Sequence, residues 1–345
     1  LAQLYKEKDP LYGGYRGGPA YYMHHYVERR TGKTKKHVCI AVLFAISGLI
    51  CWAGISQVIS NSVASSFENA FGIPPIFTTV ILVAVAAVIV LRKNATVKVL
   101  DILVPIMAVF YILGALILII MNIGNFPEAL RQIFVGAFNP GAALGGFTGV
   151  AVSSAIQFGV ARGLFSNEAG MGSTPHAHAV AKVNHPCDQG LVAICSVFID
   201  TLIVLNLTAF SVLCTGQLQE YNQSLTAAEL TQAAFESAYG HFGAIFIAIC
   251  MFFFAFSTII GWYFFGEKNV RYLFKHHPAV AAKVYAAIVV VFIVVGSMLK
   301  VDLVWNLSDL FNSLMVIPNV LGLWALSNVA KDLYDDWKKQ PAKVK

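Results

Sequence analysis

The sequence predicts an all-α polytopic membrane protein, and three observations predict it. The chain is 57% hydrophobic with only 12% charged residues and a mean hydropathy of +0.69, whereas about a quarter of the residues in an average soluble domain are charged. Its apolar residues come in continuous blocks, not in the period-two alternation of a membrane barrel. Its positive charges gather on alternate loops. Helices are then the only spanning element, because lipid offers no partner to open backbone groups.

A crossing takes roughly 20 helical residues. Eight blocks qualify as spans, near 38–62, 74–91, 102–122, 143–165, 191–214, 241–265, 284–299 and 303–327, the seventh being short. They divide the chain into a cytoplasmic or interfacial segment 1–37, a transmembrane bundle 38–327 and a cytoplasmic tail 328–345. In the first segment, glycines 13, 14, 17 and 18 with Pro19 suggest a turn. A short interfacial helix follows, placing Tyr21, Tyr22 and Tyr26 at headgroup level. Two further helices are expected outside, one starting at Asn125-Phe126-Pro127-Glu128 with Pro in the first turn, the other over 225–240.

The net charge of +6 raises the question of nucleic acid, and its distribution answers it. With both ends cytoplasmic, Lys and Arg number eight in 1–37, three in 92–101, one in 166–190, four in 266–283 and five in the tail, 21 of the 24. Only Arg131 and Lys300 lie on the other side, with Arg162 in or near a span. This is the positive-inside bias of a membrane protein, and it removes the case for a nucleic-acid partner. The six cysteines, five of them within apolar blocks, form no disulfide framework and read as small buried hydrophobes. The chain begins at Leu1 in a basic loop with no apolar block before residue 38, so it reads as part of a longer protein.

The fourth block differs from the others. Eight glycines fall between Gly141 and Pro175, and its second half mixes Gly159 and Gly163 with Arg162 and Glu168. Each glycine lowers helix stability by about 1 kcal/mol relative to alanine. Unwinding is expected over Gly159–Gly163, which would free backbone groups to bind ions and solute. Gly145, Gly146 and Gly149 read instead as close helix packing.

The stretch Gly163-Leu164-Phe165-Ser166-Asn167-Glu168-Ala169-Gly170-Met171-Gly172-Ser173, running into Pro175-His176-Ala177, resembles the signature of the alanine or glycine:cation symporter family. Tyr15-Arg16-Gly17-Gly18-Pro19-Ala20-Tyr21-Tyr22, Val197-Phe198-Ile199-Asp200-Thr201, Phe254-Ala255-Phe256-Ser257-Thr258 and Gly261-Trp262-Tyr263 match in order. The resemblance implies sodium-coupled or proton-coupled uptake of alanine or glycine through a bacterial or archaeal plasma membrane. It also implies a leucine-transporter-like inverted-repeat bundle. The eight blocks would be its core helices three to ten, with two more preceding residue 1, so this stretch alone should not transport.

Gln57 and Ser60 share one face of the first block, with Asn61 beside them, and an amide can both donate to and accept from a zwitterion. The resemblance places this helix at the solute pocket, making Gln57 and Ser60 candidates, together with Gly159, Gly163 and the wall residue Trp262. Phe254, Thr258 and Trp262 form one helix stripe. The resemblance gives the hydroxyls of Ser257 and Thr258 and the Phe254 carbonyl to sodium, a hard cation suited to oxygen ligands. Asp200, charged at bilayer depth, is a functional residue by default: cation ligand, proton acceptor or partner of Arg162. Arg162 and Glu168 form an alternative structural pair. Asp309, Asn312 and Ser313 read as contacts between helices. His176, His178 and His185 lack cysteine partners and read as solvated loop residues, so no metal beyond sodium and no cofactor is expected. An enzyme would need a nucleophile and base, but no histidine lies well inside a span and no HExxH or GxSxG motif occurs. A passive channel or a sensor derived from a transporter is the alternative reading.

Overall fold

In the computed structural model, residues 1–9, 14–91, 93–138, 156–157, 159–168, 170–220 and 227–340 are described. A long central helix, α2 (Cys39–Phe71), organises the rest. Its 33 residues give about 50 Å of rod, enough to cross the hydrocarbon and project beyond it. Before it, two short antiparallel strands, β1 (Glu7–Lys8) and β2 (Tyr15–Arg16), lead into α1 (Pro19–Thr31), which opens on Pro19 and closes on a left-handed Gly32. After it come α3 (Pro75–Leu91), α4 (Lys93–Met121) and α5 (Phe126–Phe138). Residues 159–166 form α6 and Pro175–Val180 form α7. Then α8 (Pro186–Cys214) leads, past one turn at Gln217–Glu220, to α9 (Ala227–Tyr239). The last four are α10 (His241–Leu273), α11 (Pro278–Met298), α12 (Val301–Ala325) and α13 (Ser327–Lys339).

α2 packs against α10, α11 and α12. Its Phe44, Trp52 and Ile55 are fully buried among residues that include Met315 of α12 and Met171. A second cluster, around Tyr111, Leu118, Phe235 and Ile247, joins α4 and α9 to α10. The outer faces stay apolar: Phe110, Ile194 and Val291 are 60%, 66% and 57% exposed. Surface of this kind is stable only against hydrocarbon.

Six helices among the described residues are long and apolar enough to cross a membrane. They coincide with the first, third, fifth, sixth, seventh and eighth blocks. The second block forms α3, a 17-residue apolar helix, and the fourth lies largely outside the described residues. The seventh block begins earlier than expected, at Pro278, because Lys283 interrupts its apolar run without interrupting the helix.

Two expectations change. Tyr21 and Tyr22 are 2% and 1% exposed, not at a headgroup surface. Their hydroxyls donate to the Lys268 carbonyl at 3.0 Å and to Asn319 Oδ1 at 2.5 Å, which makes their burial tolerable. The backbone break also comes later than Gly159–Gly163. That stretch is helical, and the Asn167 amide still reaches the Gly163 carbonyl at 3.2 Å. Regular helix ends at Ser166, and φ turns positive at Glu168 (50°), Gly170 (79°) and Gly172 (82°).

Candidate functional site

The break lies beside a second irregularity. Within α8, Ile199–Leu205 forms a π-helical stretch, a distortion that recurs at functional sites. It carries Asp200 and Thr201 to the break. Ser166 Oγ donates to Asp200 Oδ2 at 2.6 Å, and Thr201 donates to Asn167 Oδ1. Thr174 donates to the Glu168 carboxylate, closing the loop on itself.

A cavity of about 540 Å³ opens between this loop, α8, α10 and α12. Asp200, Ser257, Thr258 and Trp262 line it, as do Gly170 and Gly172 of the break. Ser257 Oγ and Thr258 Oγ1 each donate to the Phe254 carbonyl at 2.8 Å. Their protons are therefore occupied, and their oxygen lone pairs remain for a cation. The Phe254 carbonyl already accepts two hydroxyls, and Phe254 lies outside the lining, its ring against Tyr111. Trp262 is held by Phe165, with ring centroids 6.0 Å apart.

One residue absent from the sequence reading binds the cavity together. Asn319 of α12, 1% exposed, donates from Nδ2 to the Gly170 carbonyl at 2.8 Å and accepts the Tyr22 hydroxyl on Oδ1. It replaces the helical partner that the break denies Gly170, and it ties α1 to the loop. Gly172 is required there: a Cβ would approach Asn319 Cγ to 2.8 Å and Pro19 Cγ to 2.7 Å, at a φ that L side chains avoid. Sequence spacing cannot show this contact, because Asn319 and Gly170 are 149 positions apart.

The other sequence candidates lie elsewhere. Gln57 and Ser60 are 5% and 0% exposed and stand outside the cavity lining. Ser60 Oγ donates to the Gln57 carbonyl at 3.1 Å within α2. A Cβ on Gly296 of α11 would meet Gln57 Cα at 2.3 Å, so the two backbones touch at this seam. Asn61 Nδ2 donates to the Gly296 and Leu299 carbonyls at 3.1 and 2.9 Å, closing the end of α11. Gln57 Oε1 has no hydrogen-bond partner among the described residues. Gly159 and Gly163 have open space around them. Arg162 pairs with Asp309, not with Asp200 or Glu168, and stacks 4.2 Å from the Trp305 ring. Asp309 thus joins two helices, as expected.

His176 is not a solvated loop residue. It is fully buried, its ring centroid 5.6 Å from Phe265, 6.2 Å from Phe44 and 5.4 Å from Trp52. Nδ1 lies 2.9 Å from the Ser173 carbonyl and must donate to it. Nε2 accepts from Asn269 Nδ2 at 2.9 Å, so the ring is neutral. Burial pushes its pKa down to about 4. His185 is buried too and caps α8, accepting the Cys187 amide. Polar loop sequence suggested water for both, while the aromatic box and Asn269 come from distant α2 and α10. No group of three or more metal-ligating side chains occurs among the described residues.

Residues 1–345 match the family model for the sodium:alanine symporter family. The chain belongs to that family. Relatives in it include the sodium/alanine symporter AgcS of Methanococcus maripaludis, 37% identical over 95% of this chain and 70% of its own length. The amino-acid carrier protein AlsT of Bacillus subtilis is 36% identical over 99% of this chain and 69% of its own. GlnT of the same organism, named as a probable sodium/glutamine symporter, is 39% identical over 99% of this chain and 68% of its own. The chain is therefore a multi-pass secondary transporter and not an enzyme. Its long symporter-family signature coincides with the break and its flanks, Gly163 to Ala177.

Proposed function

We propose that the protein is a sodium-coupled symporter for a small neutral amino acid, alanine or glycine, working by alternating access in the plasma membrane of a bacterium or archaeon. The observation that carries this reading is the cavity. It joins Asn167, Glu168, Gly170 and Gly172 of the broken backbone with Ser257, Thr258, Asp200 and Trp262 in one space. The oxygens suit sodium, with a proton on Asp200 as the other coupling route. Backbone groups released from helix suit a zwitterion, and Trp262 limits its side chain. The site residues proposed are accordingly Asp200, Ser257, Thr258 and Trp262, with Gln57 kept as a buried free acceptor. The leucine-transporter-like arrangement belongs to the same proposal, since it too sets broken helices beside the solute.

The cavity reaches from mid-span Thr258 to Pro175 and His178 in the loop that the charge bias assigns to the cytoplasm. With both ends of the chain cytoplasmic, as the charge bias has them, the arrangement is inward-facing. The test is uptake by the full-length protein in vesicles, with alanine, glycine and glutamine and with sodium, lithium and proton gradients exchanged. Alanine or glycine accumulation driven by sodium is expected. Accumulation indifferent to every cation gradient would sink the coupling, and flux that only equilibrates would identify a channel.

A further inference from the structure

In the last turn of α1 and the loop to α2, Arg29, Arg30, Lys33, Lys35 and Lys36 are all exposed. The turn between α10 and α11 lies against this stretch. Lys275 Nζ donates to the Lys36 carbonyl at 2.8 Å, Lys36 Nζ is 3.0 Å from His276 Nε2, and His37 Nε2 is 3.2 Å from the Leu273 carbonyl. None of these six cationic side chains has a carboxylate partner among the described residues. The acid nearest in sequence, Glu28, is already taken by His24, His25 and the Lys35 amide. Arg29 and Arg30 line a cavity shared with Asp332 and Asp336 of α13, which leaves Lys33, Lys35, Lys36 and Lys275 as the cationic side chains with no carboxylate left to them among the described residues.

Cations dispersed over the loops would suffice to orient the protein. Here they converge from two loops, and like charges so placed repel unless an anion joins them. The patch also stands at the head of two spans. α2 starts at Cys39 and α11 at Pro278, and their first two turns expose Leu43, Ile46, Val280 and Val284, with Phe274 55% exposed between. A soluble phosphate would leave that apolar surface uncovered, whereas a phospholipid covers both parts.

We infer that this junction binds an anionic phospholipid. Lys36 and Lys275 meet the phosphodiester, Lys33 and Lys35 flank the headgroup, and the acyl chains lie on the exposed turns of α2 and α11. Bound lipid would fasten the α1–α2 and α10–α11 junctions together. The inference rests on the multi-pass reading and is independent of solute and coupling ion.

The test uses purified full-length protein titrated with phosphatidylglycerol or phosphatidylcholine and read by native mass spectrometry. Phosphatidylglycerol should be retained in preference. Combined Lys35→Gln, Lys36→Gln and Lys275→Gln should weaken that retention at least roughly tenfold and leave phosphatidylcholine unaffected. Lys338→Gln with Lys339→Gln in the tail should change nothing. Lys275→Gln alone, at an exposed side chain, should give a several-fold loss and keeps the test readable if the triple variant misfolds. Equal retention by wild type and variants would overturn the site, and displacement of the lipid by inorganic phosphate would overturn its assignment to lipid.

Discussion

At the seam between α2 and α11, Ser60 bonds within its own helix, Asn61 ties off the end of α11, and Gly296 lets the Gln57 backbone touch the neighbouring helix. Around the cavity, Ser257 and Thr258 also bond within their helix, yet both residues line open space together with Asp200 and the broken loop. Both regions present hydroxyls and amides at helical spacing on apolar rods. What separates them is the neighbour. A glycine across the interface closes the first, and two backbone irregularities hold the second open. Polar residues in a span thus become closed contacts or cavity lining according to the backbone opposite.

The largest effect that would sharpen this contrast is at Asp200. Asp200→Asn should lower sodium-coupled uptake roughly 30-fold or more, as expected for removing a charged partner worth ~2–3 kcal/mol, with helix content by circular dichroism unchanged. Asn319→Ala leaves the Gly170 carbonyl and Tyr22 hydroxyl unpaired. It should cost about 1–3 kcal/mol and raise the KM for solute more than Tyr22→Phe does; equal KM values would deny Asn319 its hold on the loop. At the seam, Gly296→Ala should lower the melting temperature through overpacking of about 1–3 kcal/mol. The KM of the folded fraction should stay put, and a changed KM would break the distinction between the regions.

The smallest effect lies in the segment before α2. Glu7 and His25 meet at 2.8 Å. Burial alone would raise the Glu7 pKa, but hydrogen bonds from His25 and Arg16 outweigh it and hold it at about 2. The bond from Glu7 raises His25 above the ordinary imidazole range. The His25 contribution is complete below its unfolded pKa of about 6.5 and lost as pH rises through the higher folded value. The Glu7 contribution is complete above about 4.3 and lost as pH falls toward its folded value. Stability from this pair should thus be greatest near pH 5–6, by less than about 1 kcal/mol for so exposed a contact. A melting temperature that falls above neutrality equally in His25→Ala would assign the fall elsewhere.

Hydropathy made the spans legible because a membrane segment announces itself residue by residue. The signature made the region of the break legible, but not its place. Glycine content pointed to Gly159 and Gly163, where the helix tolerates them, while the chain turns at Glu168, Gly170 and Gly172. Asp200 stands out by its charge at bilayer depth and Thr258 and Trp262 by their shared helix stripe, while the ion-binding role of Ser257 and Thr258 comes from the family resemblance. His176, Asn319 and Tyr22 could not be nominated from local pattern, since their surroundings come from residues about 90 to 300 positions away and leave no local trace.

The most direct test of the cavity as the cation site compares Thr258→Val with Gln57→Ala by the sodium dependence of alanine uptake. Thr258→Val exchanges the hydroxyl of a cavity-lining residue for a methyl group and, with that oxygen as a proposed ligand, should raise the half-saturating sodium concentration about tenfold, a change worth ~1.4 kcal/mol. Gln57→Ala should leave that concentration within about twofold while lowering stability. A sodium dependence unmoved by Thr258→Val and shifted by Gln57→Ala would contradict the account and return the site to the seam.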